Sequence, residues 1–198
     1  MAGSLTRVPF LKPPQTKLTE EDWLAEALQT LAAEGVSAVR VERLARSLGV
    51  TKGSFYWHFK SHGELLARLR DYWASHHTVV VDAYETQGPA EAETMLLALL
   101  RRIILEDANR YDAAVRAWGL FDSLTAEAVL RVDETRLAFV KELFLRMGFD
   151  REEAEFRSRM SYYYVIGETS AGIDRTSEDR LAFLDRRHRR LVDRTPIR

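Results

Sequence analysis

Residues 40–62 read RVERLARSLGVTKGSFYWHFKSH. Two short helical segments meet in this stretch at a glycine. The first, Val41 to Leu48, sets Val41, Leu44, Ala45 and Leu48 on one face. Gly49 stops it by accepting a positive φ. Thr51 stands where a cap for the second segment belongs, and that segment is expected to end near His58. A helix-turn-helix needs this tight turn. It also needs a small residue where the helices cross, and Ala45 lies four residues before the glycine. Leu44, Leu48, Val50 and Phe55 are the apolar pins of the corner.

The second segment carries chemistry suited to a DNA major groove. Its start presents Thr51, Lys52, Gly53 and Ser54, which are polar, short or flexible. An ammonium such as that of Lys52 can donate to guanine O6 and N7. Ser54 can reach a base edge or a phosphate, and Gly53 lets the backbone come close. Tyr56, Trp57 and His58 follow. Phe55 and Phe59 read as core, Tyr56 as a phosphate contact. Trp57 and His58 fit either the groove edge or the packing of the small unit.

Outward from this motif the chain reads as helix throughout. Thr19 followed by Glu20, Glu21 and Asp22 marks a helix start. Trp23, Leu24, Ala27, Leu28 and Leu31 continue it to Glu34-Gly35. Ser61 caps a fourth helix expected to reach Gln87. Further helices are expected over Ala90–Ala108 (closed by Asn109), Tyr111–Asp122, Thr125–Met147, Arg151–Ser170 and Ser177–Asp193. No segment alternates with period two for long enough to suggest a strand. The predicted fold class is therefore all-α. Residues 1–18 are expected to be a disordered arm, 19–66 the helix-turn-helix unit and 67–198 a larger helical bundle. The arm carries Arg7, Lys12 and Lys17 without an acid and would suit a minor groove. An untethered tail is the simpler reading.

Composition narrows the function. The 198 residues are 46% hydrophobic and 30% charged, as in an ordinary globular protein with a core. Absence of cysteine removes disulfides, thiol catalysis and cysteine-bound zinc, and suits the cytoplasm. No apolar run suggests a signal peptide or a membrane span. The net charge of −1 announces no polyanion partner, although residues 1–62 hold eight basic and six acidic residues. No glycine-rich phosphate loop, HExxH or Gly-x-Ser-x-Gly occurs, which argues against an enzyme. His76 and His77 project about 100° apart on a helix and make poor joint metal ligands. No cofactor or metal is expected.

The segment GVTKGSFYWHFKSHGELL, Gly49 to Leu66, resembles the signature of the TetR family of bacterial regulators. The likeness runs back over Gly35-Val36, Val39, Val41, Leu44 and Ala45, and covers roughly Trp23 to Leu66. It implies a repressor that binds a double-stranded operator as a homodimer and is released by a small-molecule effector. It places DNA contacts at Arg40, Val41, Glu42, Thr51, Lys52, Gly53, Ser54, Tyr56, Trp57, His58, Lys60 and His62. Two positions depart from the family pattern. His62 stands where a phosphate-holding lysine is usual, and Arg40 where a capping serine or threonine is usual. The Arg40 guanidinium can reach a phosphate instead. In the bundle the resemblance implies a dimer interface on the last two helices, through Met160, Tyr164, Gly167, Leu181, Leu184, His188 and Leu191. It implies an effector pocket among His77, Met95, Leu99, Trp118, Phe121 and Tyr163. Ordinary core packing competes with both assignments. A helical ligand-sensing or protein-interaction bundle that has lost DNA binding is the alternative, and activation is not separated from repression.

Overall fold

The computed structural model describes residues 18–76, 88–107, 109–171 and 176–194. The helices are α1 (Glu20–Glu34), α2 (Val41–Ser47), α3 (Lys52–Phe55), α4 (His62–His76), α5 (Pro89–Leu105), α6 (Asn109–Gly119), α7 (Ser123–Arg146), α8 (Arg151–Ser170) and α9 (Ser177–Val192). A 3-10 turn, Val36–Ala38, joins α1 to α2. No strand occurs among the described residues, in keeping with the all-α expectation. No helix among them is long and apolar enough to cross a membrane. The expected arm, the far end of the fourth helix at Gln87, and His77 lie outside the described residues.

Local chemistry sets the helix ends. Thr19 and Asp22 cap α1 reciprocally: the Asp22 N–H donates to the Thr19 hydroxyl at 3.2 Å, and the Thr19 N–H to the Asp22 carboxylate at 2.7 Å. Gly49 and Gly148 take φ of +69° and +90°, which lets the chain turn after α2 and α7. Two expected ends move. Asn109 opens α6 rather than closing α5, because Asp107 at φ +46° turns the chain first. Asp122 leaves α6 and caps α7, accepting the Thr125 N–H at 2.7 Å. Both residues carry side chains suited to turn or cap, so the sequence alone does not choose between them.

Two cores divide the chain, and neither follows the expected boundary at residue 66. The first joins Trp23, Leu31, Leu44, Phe55, Phe59 and Leu65 to Leu69 and Trp73 of α4, Val115 and Trp118 of α6, and Val132 of α7. The second joins Leu96 and Leu100 of α5, Leu143 and Phe144 of α7, Ala154 of α8 and Leu184 of α9. Helix α7 therefore runs through both. It lies antiparallel to α8, as the pairs Lys141–Glu155 and Asp133–Tyr162 show. Helix α9 returns antiparallel along α8, with Tyr164 stacked on Phe183 and the Arg157 guanidinium donating to the Leu191 carbonyl at 2.5 Å. Arg157 is buried, and it satisfies carbonyls that the end of α9 would leave unpaired.

This packing corrects part of the expected dimer set. Leu184 and His188 are buried inside the protomer, and Leu181 and Leu191 pack on the second core. The apolar stripe of α9 faces α5 within the protomer. Burial pushes the His188 imidazole below its ordinary pKa; Glu93 (3.9 Å) and Asp185 pull it up, while Arg187 and Arg101 push it down. The unfolded chain then binds a proton that the native chain refuses, so stability is retained above the unfolded value and falls as pH drops through it. Lowering pH from about 7.5 to about 5.5 is expected to reduce the melting temperature more in the wild type than in His188→Leu. Equal slopes in the two proteins would contradict this.

Candidate nucleic-acid interface

The helix-turn-helix is built from buried pins. The Val50 N–H donates to the Ala45 carbonyl at 2.9 Å across the Gly49 turn, and Ala45 and Phe55 are buried. Phe55 meets Trp23 edge-on at 5.5 Å and stacks with Phe59 at 5.1 Å. Phe55 and Phe59 are core, as the sequence suggests. Helix α3 is shorter than expected. Thr51 sits at its N-cap without a side-chain cap bond, and after Phe55 the chain passes into a turn.

With the pins inside, the outer side of α3 is polar and aromatic. Thr51, Lys52 and Gly53 are exposed and Ser54 is half-buried. Tyr56 is 58% and Trp57 84% exposed. Two adjacent residues thus leave large aromatic rings in water. Lys60 and Arg40 are exposed as well. The Arg40 Nε donates to the Ser37 carbonyl at 3.0 Å, which ties its side chain to the 3-10 turn before α2.

Several expected contacts are otherwise engaged. Val41 is only 7% exposed and belongs to the core. Glu42 is ion-paired with Lys52, which lowers the Glu42 pKa and raises that of Lys52. The sequence reading missed this pair; its signal was an acid in the first turn of α2 and a base at the start of α3. Lys52 is therefore not a free cation at this surface. His62 Nε2 lies 2.6 Å from the Val39 carbonyl, so that nitrogen ties the start of α4 to the α2 entrance and does not reach for phosphate. Ser61 does cap α4: its hydroxyl accepts the Glu64 N–H at 3.1 Å, and the Glu64 carboxylate accepts the Lys60 N–H at 2.7 Å. His58 is half-buried within electrostatic reach of Asp22, whose pKa is lowered mainly by hydrogen bonds from Thr19. It leans on its own unit more than Trp57 does.

The expected effector residues do not converge. Trp118 is buried in the first core, while Met95 packs on the second. Leu99 is half-buried on α5. Phe121 is 91% exposed on the α6–α7 turn, and Tyr163 is exposed on the outer side of α8. A different opening lies between α6 and α8, lined by Asp112, Ala113, Arg116, Ile166, Thr169 and Ser170. Charged pairs stand behind it. The Trp73 Nε1–H donates to Asp112 at 2.9 Å, and Arg136 also pairs with Asp112. Asp133 accepts from Arg116 at 2.8 Å and from the Tyr162 hydroxyl at 2.7 Å. Burial pushes the Tyr162 pKa up to about 12.

Comparison with known proteins bears on the helix-turn-helix unit. Residues 24–69, the helices just described, match the family of bacterial regulatory proteins called tetR. A relative from Pseudomonas putida, the uncharacterized HTH-type transcriptional regulator TtgW, is 36% identical over 110 residues, spanning 55% of this chain and 81% of TtgW. The chain belongs to the TetR family. The HTH-type regulator SrpR, also of Pseudomonas putida, is 40% identical over 106 residues, which span 53% of this chain and 49% of SrpR. The chain thus matches about half the length of that TetR-family relative. A crystal structure of a transcriptional regulator from Rhodococcus sp. Rha1 shares the fold, with a TM-score of 0.63 and 18% identity over 90% of this chain and all of that one.

Proposed function

We propose that this TetR-family member is a transcriptional repressor that binds a pseudo-palindromic operator as a homodimer and leaves it when a small-molecule effector binds its helical bundle. One observation carries the DNA reading. Lys52, Tyr56 and Trp57 stand exposed around α3 while Phe55 and Phe59 lock the same segment into the core. Lys52 would read a base edge and Tyr56 a phosphate, with Arg40 and Lys60 holding the backbone on either side.

Two-fold symmetry supplies the sequence length that one short helix lacks. The surface suited to it is the outer side of α8, where Phe156, Met160, Tyr163 and Gly167 follow at helical spacing and the large ones are exposed. Tyr163 thus moves from the effector set to the dimer set.

The opening beside α6 has room for about one water, but α6 has two faces and so links the bundle to the helix-turn-helix. Asp112 and Arg116 line the opening, while Val115 and Trp118 enter the core that holds the helix-turn-helix. A ligand that shifts α6 acts on α4 through the Trp73–Asp112 bond. Half-sites lie roughly 34–36 Å apart, so a shift of a few ångströms breaks register.

Selection of bound fragments from the source genome tests the proposal. A pseudo-palindrome with half-sites about one turn apart is expected. Absence of any enriched sequence would favour the sensing bundle without DNA binding, for which the closed Glu42–Lys52 pair is the supporting feature.

A further inference from the structure

The first turn of α2 and the first residue of α3 hold opposite charges against each other. The Lys52 ammonium donates to one carboxylate oxygen of Glu42, and the two side chains are 52% and 60% exposed. An ion pair this open to water adds little to stability. The packing of α2 on α3 does not need it, because Val41, Leu44, Ala45 and Phe55 are already buried in the core. Arg40 lies within electrostatic reach of Glu42, and Tyr56 of Lys52. The pair therefore sits among the residues that the DNA reading sets against the operator. A carboxylate there is repelled by phosphate and lowers affinity for DNA in general. A repulsive group of this kind is a means of choosing between sequences.

Neither charge is saturated by the other. An ammonium has three donors and a carboxylate about four acceptor sites. The pair uses one donor and one acceptor site, and the Glu42 backbone N–H takes a further share of the carboxylate. Free donors of Lys52 and free acceptor sites of Glu42 thus remain side by side. In the major groove a G·C pair shows the cytosine N4 amino donor next to two neighbouring acceptors, guanine O6 and N7. A carboxylate beside an ammonium is its complement. An A·T pair sets its amino donor between its two acceptors, adenine N7 and thymine O4. With the carboxylate on that amino group, the ammonium meets only one of them. The ion pair also holds the Lys52 chain before DNA arrives, so less rotamer freedom is lost on binding.

We propose that Glu42 and Lys52 act together as one reader of a single G·C pair in each half-site: the Glu42 carboxylate accepts from the cytosine N4 amino group while Lys52 donates to O6 and N7 of the paired guanine, with their own ion pair kept. This rests on the DNA-binding reading above and names the base pair that α2 and α3 select.

Glu42→Ala in the full chain tests it, with melting followed by circular dichroism as the folding control. Fragments are selected from the source genome with the wild type, and the best one is titrated by anisotropy. The wild type enriches a G·C pair at one fixed position of each half-site. Exchanging both for A·T weakens it about 100-fold. N4-methylcytosine, which keeps the base pair but covers the outer amino hydrogen, weakens it about 10-fold when it replaces both cytosines. In Glu42→Ala the A·T penalty falls to about 10-fold, because Lys52 alone still prefers guanine, and the methyl group has no effect. A variant with the wild-type preference at every G·C pair, or a wild type indifferent to the methyl group, overturns the paired reader while sequence-specific binding stands. Enrichment of no sequence overturns the DNA-binding reading and the paired reader with it, and so the two failures are distinguishable.

Discussion

Phe55→Ala is expected to cost about 3–5 kcal/mol of stability and to abolish specific DNA binding. The residue is fully buried and touches Trp23 edge-on and Phe59 face to face. It is also the last residue of α3, so the cavity opens directly beneath the exposed Tyr56 and Trp57. The same core continues through Leu65, Leu69 and Trp73 to Val115 and Trp118. Melting of the small unit is therefore expected to be coupled to loss of the first core as a whole. Urea unfolding followed by circular dichroism and by tryptophan fluorescence checks this, since Trp23, Trp73 and Trp118 all report on that core. A change below about 1 kcal/mol would show that the site repacks and that the pin is dispensable.

Lys52→Ala combined with Tyr56→Ala is expected to weaken operator binding by about 100-fold or more while leaving the melting temperature nearly unchanged. Both side chains are exposed, and neither anchors the core. On the proposed function, their loss would remove a base-edge donor and a phosphate contact from each protomer. Glu42→Ala separates the electrostatic contribution of Lys52 from its role in reading sequence. It frees Lys52 from its ion pair, so it is expected to tighten non-specific binding and leave the fold intact. Fluorescence anisotropy with a selected fragment gives both affinities. If the double variant binds like the wild type, the outer side of α3 does not face DNA.

The first half of the chain was legible because its signals are local. Thr19, Gly49 and Ser61 each fix a helix end through hydrogen bonds or φ within a few residues, and the structure places those ends where the sequence does. Arg151–Ser170 was likewise bounded by Asp150 and the next turn. What stayed hidden depends on neighbours distant in sequence. Trp118 and Phe121 are three residues apart and equally aromatic, yet one enters the first core and the other stands in water because α6 ends between them at Gly119. The stripe Leu181, Leu184, His188, Leu191 reads as an apolar face, but periodicity does not say whether α5 or a partner covers it; α5 does. Charged residues were the largest gap. Arg116, Arg136 and Arg157 look like solvated helix positions, and each instead bridges two or three helices. A charge reads as exposed until the partner that compensates it is known.

The interface follows the same division. That Lys52 and Tyr56 point outward was readable because the pins at Leu44, Ala45 and Phe55 dictate it, whereas the sequence leaves the exposure of Trp57 open between two readings. The surroundings of Val41, Glu42 and His62 were not readable, because a core contact, an ion pair and a bond to Val39 claim them first.

The most direct measurement is an anisotropy titration of a selected genomic fragment and a shuffled copy of it at several salt concentrations. The expected result is two protomers per fragment, affinity for the selected sequence at least about 1,000-fold above the shuffled one, and steady weakening with added salt. Equal binding to both fragments, or none to either, would contradict a sequence-reading α3.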